Sequence, residues 1–309
     1  MSRSKQPTSA APTDLLTKSA VLRRLELEVH RRLDGQLAGE FLSTAIGPGS
    51  ERAGARRYAP GDDARRIDWS LTARSLEPHI RTTEADRELD AHVIVDRSPS
   101  LDFGTAHREK REVVLATLAA FGVLTQRSGN RLSVVVAGGD RLQPLPTHVG
   151  RAGALAALSK VYDTPRHDAG PGESADLTAG LDWVHRTKQR RGLVVVATDF
   201  LDRSRWADAM RRVALRHRVV AVHITDPREL QLAAVGMLSL VDAESGRRVH
   251  VQTRSATLRA RYAEAAQARQ ERIAADIRRA GGEYLHLSTD RDWVLDLANF
   301  VTRRAVTRP

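Results

Sequence analysis

Five short stretches of the chain are apolar with little or no alternation: Ala91–Val95, Arg131–Ala137, Leu193–Thr198, Val219–Ile224 and Tyr284–Leu287. They are rich in β-branched residues and too short for helices, so they read as strands buried on both faces. Between and after them, apolar residues recur at helical spacing over Ala106–Arg127, Arg151–Tyr162, Asp176–Arg190, Arg203–Arg216, Ser255–Ala280 and Asp290–Arg304. Strand alternating with helix predicts a doubly wound α/β fold around a mainly parallel sheet covered on both faces. Right-handed crossovers follow from strand twist. One stretch breaks the rhythm. From Gly236 to Gln252, two alternating runs flank the turn Glu244-Ser245-Gly246, which predicts a β-hairpin, either inserted in the domain or extending one edge of the sheet.

Upstream the pattern changes twice. Residues 1–13 are rich in Ser, Thr, Pro and Ala and read as a disordered tail. After Thr13-Asp14, a helix start, Leu15, Leu22, Leu25, Val29 and Leu33 recur at helical spacing up to Gly35. Residues 36–85 are short of apolar content and dense in Arg and Asp, with a turn signal at Pro60-Gly61-Asp62. Residues 14–88 are thus expected to form an N-terminal helix and an Arg/Asp-rich, β-containing subdomain, and 89–309 the main α/β domain. Arginine pairs with carboxylates two bonds at a time. Two readings of the subdomain follow. One is a salt-bridged elbow anchored by Trp69; the other is a recognition surface made of Arg57, Asp62, Asp63, Arg65, Asp68, Trp69 and Arg74.

Composition narrows the function classes. The chain has 309 residues, 49 Lys+Arg against 38 Asp+Glu, and a net charge of +11. That sign favours anionic partners. The basic residues are scattered, however, and aromatics are only 4%, too few for stacking platforms, which argues against nucleic acid. With no cysteine, disulfides, thiolate metal sites and a Cys nucleophile are excluded. No stretch is apolar enough for a membrane span, the first residues lack a signal-peptide core, and the cytoplasm is the expected compartment.

The chemistry-bearing pattern lies where two strands end. The first predicted strand stops at Asp96 and continues Arg97-Ser98-Pro99-Ser100, an Asp-x-Ser-x-Ser turn. The third stops at Thr198-Asp199. In a doubly wound sheet, acids at the carboxyl ends of neighbouring strands converge on the usual ligand crevice. Oxygen-only ligands suit a hard cation such as Mg²⁺; the competing reading is helix capping and loop hydrogen bonding. Zinc-hydrolase spacing and nucleotide-binding glycine loops do not occur. A metal-dependent phosphate-ester hydrolase would use Asp96 as nucleophile and Asp199 on the metal, but wants an acid at position 98, where Ser98 stands.

The Asp96-x-Ser98-x-Ser100 and Thr198-Asp199 elements resemble the metal-ion-dependent adhesion site of von Willebrand factor A domains. The run Arg57-Tyr58-x-Pro60-Gly61-Asp62-Asp63-x-Arg65-x-Ile67-Asp68-Trp69-x-x-Thr72-Ala73-Arg74 is similar to the signature of the bacterial domain-of-unknown-function family 58. The likeness continues through Asp96–Gly104, Thr198–Phe200 and Asp226–Leu230 and covers roughly residues 45–255. It implies a von Willebrand A-like fold and a non-enzymatic interaction module working with a MoxR-type AAA ATPase in chaperone-like or assembly roles. It also implies a Mg²⁺ site made by Asp96, Ser98, Ser100 and Asp199, leaving one position for a partner's carboxylate. Ala175 stands where adhesion sites carry a further Thr, and Ser174 and Thr178 are out of register, so the implied ligand set is incomplete.

Overall fold

The computed structural model describes residues 55–59, 67–75, 77–81, 90–124, 130–138, 141–164, 176–202, 204–241 and 247–306. The expected tail and first helix, Asp62, Asp63 and Arg65 of the subdomain, and Ser174 and Ala175 lie outside them.

A small antiparallel pair opens the described chain: β1 (Ala55–Arg57) against β2 (His79–Arg81), with helix α1 (Trp69–Ser75) between them. The α/β rhythm begins with β3 (Asp90–Asp96) and continues through α2 (Lys110–Leu124) to β4 (Arg131–Gly138). Two short strands, β5 (Arg141–Pro144) and β6 (His148–Val149), then precede α3 (Gly150–Tyr162) and α4 (Leu177–Thr187). Next come β7 (Leu193–Thr198), α5 (Trp206–Ala214), β8 (Arg218–Thr225) and the one-turn helix α6 (Pro227–Leu230). The hairpin β9 (Met237–Val241) and β10 (Arg248–Gln252), the long α7 (Ala256–Arg279), β11 (Glu283–Ser288) and α8 (Trp293–Val306) complete it.

The central sheet runs β11-β8-β7-β3-β4-β5, with β6 also on β4. Pairs from β11 through β4 are parallel; β5 and β6 pair antiparallel with β4. All seven residues of β3 and all six of β7 are buried, as strands covered on both faces must be. Helices α2, α3 and α8 pack on one face through Val113, Phe121, Val161 and Trp293. Helices α4, α5 and α7 cover the other through Leu181, Met210 and Ile277. After β3 the chain goes to β4 on one side and later to β7 on the other. Strand order therefore reverses at β3, and the crevice that reversal opens lies at the carboxyl end of β3 and β7.

One open alternative is settled and one expectation needs correction. The hairpin does not extend the central sheet: β9 and β10 pair only with each other among the described residues. The sheet's edges are already taken, by β11 at one side and by β5 at the other, where Pro144 blunts the ladder. Helix α2 starts at Lys110 rather than Ala106. Residues 102–109 form a loop held by Thr105, whose amide and hydroxyl donate to Asp226 at 2.8 and 2.6 Å.

Candidate functional site

The last residue of β3, Asp96, is buried, and both carboxylate oxygens are engaged. One accepts from the Ser98 amide at 2.7 Å, closing a tight turn; the other accepts from the Thr198 hydroxyl at 2.6 Å. Thr198 ends β7, and the register Val95↔Ala197 brings the two strand ends side by side. The turn proceeds through Pro99–Leu101, and the hydroxyls of Ser98 and Ser100 lie 3.0 Å apart. Beyond β7, Phe200 takes φ +54°, a conformation that costs a non-glycine residue energy. There its N–H donates a hydrogen bond to the Thr198 hydroxyl oxygen at 3.1 Å. This kink leaves Asp199 accepting from the Leu201 amide at 3.1 Å and from the Ser100 hydroxyl. The predicted quartet Asp96, Ser98, Ser100 and Asp199 is thus one connected cluster.

Sequence reasoning missed its cation. Lys110, the first residue of α2, is fully buried and donates to Asp199 at 2.9 Å and to Glu229 at 2.5 Å. Glu229 belongs to a capping box on α6, legible in Asp226-Pro227-Arg228-Glu229. Nothing in the sequence marks Lys110, because a lysine opening a helix is usually solvated.

Burial alone would pull the Lys110 pKa down, but Asp199 and Glu229 outweigh it and hold the ammonium above its ordinary value. Burial would raise Asp199, yet Lys110 and the hydrogen bonds from Ser100 and Leu201 keep that carboxyl below the usual range. Asp96 has no such cation. Burial, reinforced by the charge of Asp199, pushes it up to about 7. A third strand-end acid, Asp226 after β8, accepts from Thr105 and, at 2.7 Å, from Thr289. Those bonds overcome its desolvation and lower its pKa.

Oxygen atoms about 2.1 Å from Mg²⁺ and at right angles to each other lie about 3.0 Å apart. The serine hydroxyls have that spacing. It is also the length of the hydrogen bond between them, and the under-compensated Asp96 beside them is the carboxylate a hard cation would neutralise. Among the described residues no three Asp, Glu or His side chains are placed to hold a metal ion together, so a carboxylate-rich metal cage is not what this site offers. Thr178 donates to the Ser204 hydroxyl at 2.9 Å and is engaged there instead. Asp96 is also poorly suited to nucleophilic attack, being buried with both oxygens accepting hydrogen bonds.

In the Arg/Asp-rich segment, Arg57 pairs with Glu77 at 2.7 Å. Asp68 caps α1 by accepting from the amides of Ser70 and Leu71 at 3.1 and 3.2 Å. Arg74 donates to the Ser70 carbonyl at 3.3 Å. Trp69 is 71% exposed, so it does not anchor the elbow as one sequence reading expects. It opens a seven-residue helix that itself has no buried residue, so the helix offers the indole no core to sink into.

Among known proteins, the chain is 41% identical to the uncharacterized protein Rv1480 of Mycobacterium tuberculosis over 311 aligned positions, covering 98% of this chain and 97% of that one. Among solved structures it is similar to the conserved hypothetical protein BatB of Bacteroides thetaiotaomicron, with a TM-score of 0.47 and 14% identity, over 70% of this chain and 98% of that one. It is also similar to the SpRpn10 VWA domain, with a TM-score of 0.38 and 12% identity, over 69% and 94%. No helix among the described residues is long and apolar enough to cross a membrane. The model of the family described as "Protein of unknown function DUF58" matches residues 54–272, and the chain belongs to that family.

Proposed function

We propose that this protein is a non-enzymatic protein-interaction module whose contact site is the carboxyl-end crevice at β3 and β7. One observation supports it above the others: two serine hydroxyls at the edge length of a Mg²⁺ octahedron, beside a buried carboxylate short of positive charge, at the switch point of the sheet. Asp96, Ser98 and Ser100 would hold Mg²⁺, which when bound supplies a Lewis-acidic position for a partner's carboxylate. Asp199 supports the turn through Ser100, while Lys110 supplies its counter-charge. The exposed Trp69, with Arg57, Asp68 and Arg74, forms a second contact area. The partner proposed is a MoxR-type AAA ATPase, and the role is chaperone-like or in complex assembly. Pull-down with candidate AAA ATPases tests this, in Mg²⁺ and in EDTA. Capture should fall in EDTA and on Asp96→Ala. Equal capture of wild type and Asp96→Ala would sink the metal part, and no capture of any candidate would sink the partner class.

A further inference from the structure

At the opposite end of the same sheet, where β3 and β4 begin, a cavity of about 280 Å³ is lined by Asp90, His92, Arg131, Ser133, Thr147 and Lys188 among others. Its charges are unbalanced. Asp90 is taken by Arg131, which donates to both of its oxygens at 2.7 and 3.1 Å. Lys188, the C-cap of α4, has no such partner. Its ammonium donates to the Ser133 hydroxyl at 3.1 Å and sits 5.0 Å from the centre of the Trp183 ring, and it makes no ion pair with a carboxylate among the described residues. The opposing field of the α4 C-terminus amounts to about half a charge. Positive potential wins.

The polar groups are unbalanced too. His92 is 3% exposed, lines the cavity, and has no hydrogen-bond partner for Nδ1 or Nε2 among the described residues. His217 packs edge-on against it at 5.7 Å. The His217 Nε2–H donates to the Lys188 carbonyl at 2.9 Å, so its buried Nδ1 is a second acceptor without a partner. Leaving a buried polar atom unpaired forfeits its hydration with nothing in return, and native structures rarely leave several together unexplained. Burial, then the charge of Lys188, pulls the His92 pKa down to about 3, so at neutral pH its ring offers one donor and one acceptor.

We propose that this cavity binds a small oxyanion-bearing molecule, a carboxylate or a phosphate, anchored by Lys188, with its polar body read by His92. The volume falls just below the usual range of ligand pockets, which run from about 300 Å³ upward, and so limits the occupant to a compact molecule. The site is separate from the carboxyl-end crevice and does not depend on what that crevice binds.

Histidine-selective ¹H–¹⁵N NMR on the full chain tests it, with titration by inorganic phosphate, pyrophosphate and citrate at matched ionic strength. The His92 ring signals should shift saturably with at least one probe, and the phosphate and citrate arms then distinguish the two sources of oxyanion. Lys188→Met should weaken that binding at least tenfold, and Lys160→Met, on α3, should leave it unchanged. A wild-type titration with no saturable shift for any of the three overturns the proposal and leaves a water-filled cavity. Equal affinity in wild type and Lys188→Met overturns it as well.

Discussion

The Lys110 ammonium and the Asp199 carboxylate meet at 2.9 Å although 89 residues separate them, and neither is exposed to solvent beyond a trace. Removing one partner of a buried ion pair strands the other, typically at a cost of about 3–5 kcal/mol. Lys110→Met should lower stability by an amount in that range, read from urea unfolding. Adding Asp199→Asn to Lys110→Met should recover part of the loss, because one of the two stranded carboxylates, the more deeply buried, is then neutral while Glu229 remains. If the two substitutions are simply additive, the pair is not coupled as described.

Asp96 gives stability a pH dependence of unusual sign for a carboxylate. Its folded pKa of about 7 lies above its ordinary value of 3.8, so the folded chain binds the proton more tightly than the unfolded chain. Its contribution is therefore fully present below the unfolded pKa and is lost as pH rises through about 7. Asp96→Asn removes the charge, and the Thr198 hydroxyl can turn to accept from the new amide. The variant should be more stable than wild type at pH 8, by on the order of 3 kcal/mol, and about equal to it at pH 4. A stability difference that does not change with pH would rule this out.

Two core histidines act in the opposite direction. His92 and His223 are both held at about 3 by burial, so the unfolded chain binds more protons than the folded one from about pH 6.5 down to 3. Their stabilisation is complete above the unfolded value and is lost as pH falls through that window. Over most of it Asp96 holds a proton that the unfolded chain lacks, so Asp96→Asn should lose stability faster than wild type as pH falls, by about 1.4 kcal/mol per pH unit. Chemical unfolding at pH 5.0, 5.5 and 6.0 reads the slopes directly.

The loop before α2 is tied down by Thr105. Thr105→Val removes the 2.6 Å hydroxyl bond to Asp226 while keeping side-chain volume. Amide exchange across residues 102–109 should speed up markedly, and stability should drop by about 1–3 kcal/mol. Unchanged exchange would mean that the Thr105 amide alone holds the loop.

Gly192, just before β7, has no room for a side chain. A Cβ there would sit 2.2 Å from the Asp90 carbonyl oxygen, a backbone atom that cannot swing aside. Gly192→Ala should push β7 and β3 apart at their start and destabilise by about 1–3 kcal/mol, measurable as a lower urea midpoint.

The five central strands and the helices between them were legible because burial on both faces writes itself as uninterrupted apolar runs such as Val93–Val95 and Leu193–Val196. Asp96, Ser98, Ser100 and Asp199 were legible because a strand end followed by acid and hydroxyl is a local pattern. What stayed hidden depends on distant neighbours. Lys110 is defined by Asp199 and Glu229, from two other loops. β5 and β6 are too short and polar to show a period. The hairpin's pairing was legible, but the choice between an inserted hairpin and an edge one was not, because nothing within residues 236–252 says that β11 occupies the edge beside β8.

The pairing of Asp96 with Thr198 spans 102 residues and also makes the crevice a late product of folding. Closing a loop of that length costs about 4 kcal/mol of chain entropy, and only the docking of β7 onto β3 repays it. The Asp-x-Ser-x-Ser turn comes from local sequence, but the cluster built on it forms only when most of the sheet is in place. Any ligand it takes is thus a reporter of complete assembly. A fragment ending before Thr198 would carry both serines and no site.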